Sequence, residues 1–147
     1  MREMRVKILD YMKYNHQKLL TIQVYLYSAY YRLRIKFQPQ DKMQDLIFGV
    51  RGEESSAEET RENLKTARII GYHVDRVTEH TPWESKCLVR ALTAGRILKK
   101  RHIASTLYLG VGKDNEKMVA HAWLRCGQLY VTGGNGAPYA MVAKFCL

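Results

Sequence analysis

The chain has 147 residues, 46% of them apolar, so it can bury a core of its own and is expected to form a single domain, residues 1–147. The apolar content, with only three prolines and ten glycines, excludes disordered and collagen-like chains. Twenty-four Lys and Arg against fourteen Asp and Glu give a formal charge of +10, which suits a solvated basic surface or an anionic partner.

The sequence contains no candidate membrane span and no recognisable secretion signal. A spanning helix needs roughly 18 consecutive apolar residues, and the best window, 19–37, is interrupted by Gln23, Arg32, Arg34 and Lys36. Residues 1–18 lack the apolar core and the cleavage site of a signal peptide. We therefore predict a cytoplasmic protein.

Helical patterns dominate residues 1–80, which we interpret as a mainly helical lobe. Apolar residues at spacings of three and four predict a helix that ends near Lys36 and carries them on one stripe. They are Ile22, Leu26, Ala29, Tyr30 and Leu33. Pro39 interrupts this helix, and a short helical piece is expected over 41–48.

A further helix is predicted after the polar segment 49–56. Ser56 followed by Glu59 matches a capping box, in which each side chain bonds a backbone N–H at a helix start. The side chains expected to face inward are Leu64, Ala67, Ile70, Gly71 and Val74.

Residues 81–147 change character and are expected to form a helix against a small antiparallel sheet. Short β-rich runs punctuated by glycine predict strands over 106–111, 119–125 and 129–132. Cys126-Gly127-Gln128 is short enough for a hairpin between the last two runs. The sequence thus predicts an α+β fold with a helical N-terminal half.

Cys87 is the first candidate for a catalytic residue. Helix starts at Thr81 and at Ser85 both fit local rules, and a start at Ser85 places Cys87 in the first turn. Free N–H groups and the positive end of the helix dipole favour a thiolate there. The alternative is a small core residue, since Cys87, Ala91, Ala94 and Leu98 recur at helical spacing.

A nucleophilic thiol needs a base, and His121 on the predicted strand is the candidate. Side chains alternate along a strand, so His121 and Cys126 point to opposite faces. Cys87 is therefore the better partner for His121, and we expect its helix to cross the face on which His121 projects. Because His121 and Cys126 lie on opposite faces, and because Cys87, Cys126 and His121 lack the sequence spacing of zinc ligands, a zinc site built from these three residues is not favoured. No metal and no cofactor are predicted. Cys146 lies too close to the end of the chain to be favoured.

Tyrosines lie amid basic residues in the first part of the chain, a composition that also fits stacking on nucleic-acid bases. Their helical spacing favours packing, and no nucleic-acid motif accompanies them, so no nucleic-acid partner is predicted. The residues are Tyr11, Tyr14, Tyr25, Tyr27, Tyr30 and Tyr31.

Three sequence blocks carry a resemblance to a known family, and they are TPWESKCLVRAL, STLYLGVG and AHAWLRCGQLYVTGG. Taken together, they resemble the transglutaminase-like cysteine peptidases of lasso-peptide biosynthesis. The similarity is to the stand-alone protease half, which works beside a separate leader-recognition protein. It implies a papain-like or transglutaminase-like fold with the cysteine at a helix start, which favours Ser85 over Thr81 as the cap.

The resemblance makes Cys87 the nucleophile and His121 the base of a peptidase that cleaves leader from core in a ribosomally made precursor. It also implies an ATP-dependent macrolactam synthetase that acts on the released core. Family members often carry an Asp about twelve residues after the histidine, and here that place is Gly133. The third member of the triad is therefore unknown from the sequence, with Asn135, Thr132 and a backbone carbonyl as candidates.

Two other functions remain open on the sequence. The same scaffold supports an acyl transferase that passes the acyl group to an amine instead of water. A non-catalytic basic adaptor for an acidic peptide or a nucleic acid, with Cys87 buried, belongs to another class.

Overall fold

The computed structural model describes residues 18–37 and 49–147. The predicted helical piece at 41–48 lies outside these residues. The helices are α1 Lys18–Phe37, α2 Arg61–Thr78 and α3 Cys87–Lys100, and the strands are β1 Val50–Arg51, β2 Thr106–Asp114, β3 Lys117–Cys126, β4 Leu129–Thr132 and β5 Ala140–Cys146. The strands pair antiparallel in the order β1-β5-β2-β3-β4. This is the α+β fold that the sequence predicted.

Helices α2 and α3 cover one face of the sheet, and α1 packs on these two helices. Leu107, Leu124 and Phe145 stand opposite one another on β2, β3 and β5, and each is completely buried. Gly71 of α2 lies so close to the backbone of Val131 of β4 that it has no room for a Cβ, whereas Gly95 of α3 lies against the side chain of Leu147 and at ordinary contact distance from Leu124. The glycine at position 71 lets α2 approach the sheet closely. We call this side the helix-covered face and the other side the second face.

Helix α1 turns its apolar stripe away from the core. The predicted residues do share a stripe, but Ile22, Leu26, Tyr30 and Leu33 are between 39% and 64% exposed. Val24, Ser28 and Tyr31 on the opposite side are buried instead. Periodicity predicts that a stripe exists, but it does not choose between two sides that both carry apolar residues.

Helix α2 begins four residues later than the capping-box pattern predicted. Thr60 is the N-cap, and its hydroxyl accepts from the N–H of Asn63 at 3.1 Å. The Ser56 hydroxyl accepts from the N–H of Glu58, so it closes a local turn instead. The predicted inward residues Ala67, Ile70, Gly71 and Val74 are buried, and Leu64 is half-buried.

Two strands were missed because each lacks a strong sequence signal. β1 has only two residues, within the predicted polar loop, and pairs with β5 at Val50↔Cys146 and Arg51↔Phe145. β5 ends in Lys144, Phe145 and Cys146, so it shows little regular alternation. The hairpin predicted at Gly127 is confirmed by the antiparallel pairing of β3 and β4. None of the helices in the described residues has the length and apolar character that a membrane crossing requires.

Candidate active site

Cys87 is the first residue of α3, and its N-cap is Lys86. Neither predicted cap is therefore the actual one, although Cys87 lies in the first turn as the Ser85 start required. Lys86 offers no side-chain cap, which leaves the first N–H groups of the helix without that bond. The start of α3 therefore presents backbone donors next to the Cys87 thiol.

The segment before Cys87 is held in place by other contacts. Thr81 donates its hydroxyl to the carbonyls of Thr78 and Trp83, so it closes a turn and does not cap a helix. The indole N–H of Trp83 donates to the Ser28 hydroxyl of α1 at 3.2 Å. The Trp83 ring packs edge-on against the Tyr25 ring, with ring centroids 4.7 Å apart. Trp83 thus attaches the segment before the nucleophile candidate to α1.

His121 lies on β3 and is held by a backbone carbonyl. Its Nε2 is 2.7 Å from the carbonyl oxygen of Gly133, the residue that stands twelve positions later. A carbonyl only accepts, so Nε2 carries the proton and Nδ1 has the free lone pair in the neutral ring. Asn135 uses its side-chain oxygen to accept from the N–H of Ala137, and the buried Thr132 hydroxyl has no hydrogen-bond partner among the described residues.

Gly133 cannot accommodate the Asp that the resemblance led us to consider at this position. Its φ is +77°, a conformation that favours glycine, and an added Cβ would overlap the carbonyl oxygen of Ala122 and press on Trp123. The same turn points the Gly133 carbonyl at the imidazole. The backbone therefore supplies the hydrogen-bond acceptor beside His121, at the position where the sequence offers no carboxylate.

Cys87 meets β3 at its edge. We expected α3 to cross the face on which His121 projects, and this is wrong, because α3 packs on the helix-covered face beside Leu124. Leu107, Leu124 and Phe145 are on that side of the sheet, so the helices bury them there. The thiol still reaches the strand, because the backbone N–H of Ala122 donates to Cys87 Sγ at 3.4 Å. Ala122 is the next residue after His121.

Aromatic rings fix the plane of the imidazole on the second face. The His121 ring stacks on Tyr139 with centroids 4.6 Å apart and on Trp123 at 5.9 Å. Gly110 and Gly112 of β2 leave room for these rings, since a Cβ on either glycine would overlap Trp123 or Tyr139. Sequence reasoning missed Tyr139, because only the fold brings the 133–139 loop back over β3.

Cys126 and His73 are buried elsewhere in the fold. Cys126 is fully buried, and burial raises the pKa of its thiol from 9.0 to about 11. His73 is 7% exposed, and burial lowers its pKa. Within residues 18–37 and 49–147, no three His, Cys, Asp or Glu side chains are grouped as metal ligands would be.

The arrangement provides the parts of thiol-based acyl transfer. The thiol sits at a helix start, one backbone N–H already points at the sulfur, and the adjacent residue carries an imidazole whose Nδ1 has no proton. Backbone N–H groups can donate hydrogen bonds to sulfur, and an oriented imidazole can accept and return a proton.

Comparison with known proteins gives a family but no individual relative. Residues 30–144 match the family model described as the transglutaminase-like superfamily. Neither the search of curated proteins nor the search of solved structures gave a significant match. Because the matched segment covers most of the chain and contains both Cys87 and His121, the chain belongs to the transglutaminase-like superfamily.

Proposed function

We propose that this protein is a cysteine peptidase that removes the leader from a ribosomally synthesised lasso-peptide precursor. The observation that carries the proposal is the meeting of Cys87, at the start of α3, with the strand segment of His121 and Ala122. Membership of the transglutaminase-like superfamily supports thiol-based acyl chemistry. The choice of substrate rests on the resemblance of the sequence blocks around the two residues.

In the proposed reaction, Nδ1 of His121 takes the proton of the Cys87 thiol. The thiolate attacks the carbonyl of the amide between leader and core, and the backbone N–H of Cys87 is a donor for the developing oxyanion. The imidazolium returns its proton to the departing amine, which is the new N-terminus of the core. Water then hydrolyses the thioester, releasing the leader as a carboxylic acid.

The Gly133 carbonyl takes the part of the third triad member in this scheme. It accepts the Nε2 proton of His121 and keeps the ring in the tautomer whose Nδ1 is the base. The stack on Tyr139 restrains rotation of the ring about its side-chain bonds.

The proposal includes two protein partners besides the precursor. A separate leader-recognition protein would deliver the substrate, and the outward stripe of α1 is the surface that we assign to it. An ATP-dependent macrolactam synthetase would use the released core. Such a reaction fits the cytoplasm, where precursor and ATP are both present.

The test combines the chain, its leader-recognition protein and a precursor peptide, with products identified by mass spectrometry. We expect Cys87→Ala and His121→Ala each to abolish leader removal while both variants still unfold cooperatively. Cys146→Ala, which removes another free thiol, is the matched control and should cleave normally. Cleavage by Cys87→Ala would overturn the proposal.

The same assay separates hydrolysis from acyl transfer. Hydrolysis ends the leader in a carboxylic acid, whereas transfer to an added amine ends it in an amide of that amine. An amide product formed in preference to the acid would assign the protein to the transferases. Rapid cleavage of full-length precursor by the chain alone would contradict the need for a leader-recognition protein.

A further inference from the structure

The outer edge of β3 is open next to the candidate active site. β4 pairs with β3 only over Leu124 to Cys126, so the first part of β3 has β2 on one side and no strand on the other within the described residues. Ala120 is exposed, and Met118 is 65% exposed. This stretch therefore has room for another strand.

The backbone groups on this edge follow from the bond to Cys87. The N–H of Ala122 points away from β2, since it donates to the Cys87 thiol. In an antiparallel strand, alternate residues direct N–H and C=O to the same side, so Ala120 and Met118 also direct theirs outward. No hydrogen bond to these outward groups exists among residues 18–37 and 49–147.

We infer that an extended peptide segment adjoining the scissile bond pairs with the Met118–Ala120 edge as an additional strand, an inference that rests on the proposed function. An extended peptide carries donors and acceptors at the spacing of a strand, which matches this edge. The next outward group, on Ala122, lies about 7 Å from that of Ala120 and is already at the sulfur. A peptide paired here is guided straight to the nucleophile.

This pairing separates two tasks in substrate binding. The backbone groups of Ala120 and Met118 form hydrogen bonds only with the peptide backbone. They therefore hold the peptide extended, whatever its side chains are. Selection of the precursor is then left to pockets beside the edge and to the leader-recognition protein. The substrate class that fits this edge is an unfolded peptide, because a folded loop cannot lie flat along a strand.

The test uses two electrophiles that react with thiols. An epoxysuccinyl peptide with two residues on each side of the epoxide pairs with the edge in either direction, whereas iodoacetamide has no peptide arm. Ala120→Pro removes the outward N–H and leaves the β2 pairing intact, because proline is tolerated where the N–H faces outward at a sheet edge. Ala120→Val keeps the N–H and is the matched control.

We expect Ala120→Pro to slow alkylation of Cys87 by the peptide electrophile about three- to tenfold, as the loss of one hydrogen bond would. Its rate with iodoacetamide should stay unchanged, and Ala120→Val should behave as the wild type with both. On unmodified protein, N-methylation of the paired amides in one arm of the peptide should slow labelling to a similar degree. This second measurement does not depend on the folding of any variant.

The outcomes distinguish the inference from the proposed function. A Cys87 that is inert to both electrophiles would contradict the proposed function itself. A reactive Cys87 whose labelling by the peptide is unaffected by Ala120→Pro and by N-methylation in either arm would overturn the edge pairing alone. A dimer in sedimentation experiments that Ala120→Pro dissociates would assign the edge to a second copy of the chain, and this would also overturn it.

Discussion

Gly133 and Gly134 are neighbours with nearly the same backbone conformation, with φ of +77° and +75°. Their surroundings differ, because a Cβ at Gly133 overlaps the Ala122 carbonyl whereas a Cβ at Gly134 meets nothing within 4 Å. Gly134→Ala should cost about 1 kcal/mol of unfolding free energy, for the left-handed conformation alone. Gly133→Ala adds steric overlap, so about 2 to 4 kcal/mol is expected.

The two variants should also differ in catalysis. Gly133→Ala moves the carbonyl that holds His121, so we expect at least a tenfold loss of leader removal and slower alkylation of Cys87. Gly134→Ala should keep both near wild type. Chemical denaturation and the rate of iodoacetamide labelling measure the two effects, and equal behaviour of the two variants would argue against a role for the Gly133 carbonyl.

For individual residues, the sequence shows residue types and spacings, but it does not show in which direction a backbone carbonyl or N–H points. It singled out Cys87 and His121, whose catalytic roles remain predictions, and it noted Gly133 at the place of the expected Asp. It did not select the Gly133 carbonyl, because the direction of a carbonyl depends on the φ and ψ of the turn. Tyr139 had no signal at all, since its contact with His121 exists only after the loop folds back.

Helix α1 carries six of the twelve large apolar side chains that are exposed among the described residues. Six exposed residues follow one line on it at spacings of three and four, and they are Leu19, Ile22, Leu26, Tyr30, Leu33 and Phe37. Contiguous exposed apolar surface on a folded domain marks an interaction site. This is the surface that we assign to the leader-recognition protein.

We expect Leu26→Ser and Leu33→Ser to weaken binding of the leader-recognition protein at least tenfold. Both side chains are more than half exposed, so the unfolding free energy should change by less than about 1 kcal/mol, and iodoacetamide labelling of Cys87 should not change. Tyr72→Ser on α2, at a residue 59% exposed, is the control and should bind normally. Titration calorimetry measures the affinity, and unaltered binding by both leucine variants would exclude the stripe.

The elements that sequence reasoning placed well are those with strong local signals. Glycines and alternation marked β2, β3 and β4, and helical spacing marked α1 and α2 to within a few residues. Helix starts were less accurate, because Ser56, Thr81 and Ser85 are good caps by type, yet the hydroxyls of Ser56 and Thr81 bond elsewhere and that of Ser85 has no hydrogen-bond partner among the described residues. The buried face of α1 could be identified only from the packing of the folded structure.

For the whole molecule, two buried acids make stability sensitive to high pH. Burial raises the pKa of Cys126 to about 11 and that of Tyr31 to about 12, from 9.0 and 10.0. The folded state holds both protons more tightly than the unfolded chain does. The stability is therefore fully present below pH 9 and is lost as pH rises, between 9 and about 11 for Cys126 and between 10 and about 12 for Tyr31.

The unfolding free energy should fall by at most about 1.4 kcal/mol per pH unit for each group in its window. Urea denaturation at steps from pH 8 to pH 11 measures this fall. Cys126→Ala should flatten the dependence above pH 9, and Tyr31→Phe should flatten it above pH 10, whatever each does to stability at pH 8. Curves parallel to that of the wild type would show that these groups do not carry the effect.

The carbonyl that holds His121 has a consequence for the number of ionisations in the reaction. A carboxylate in that place would gain a proton in acid and would add its own limb to the dependence of rate on pH. A peptide carbonyl has no proton to gain in that range. In the proposed mechanism, the dependence of rate on pH therefore reflects the thiol and the imidazole, with no third group.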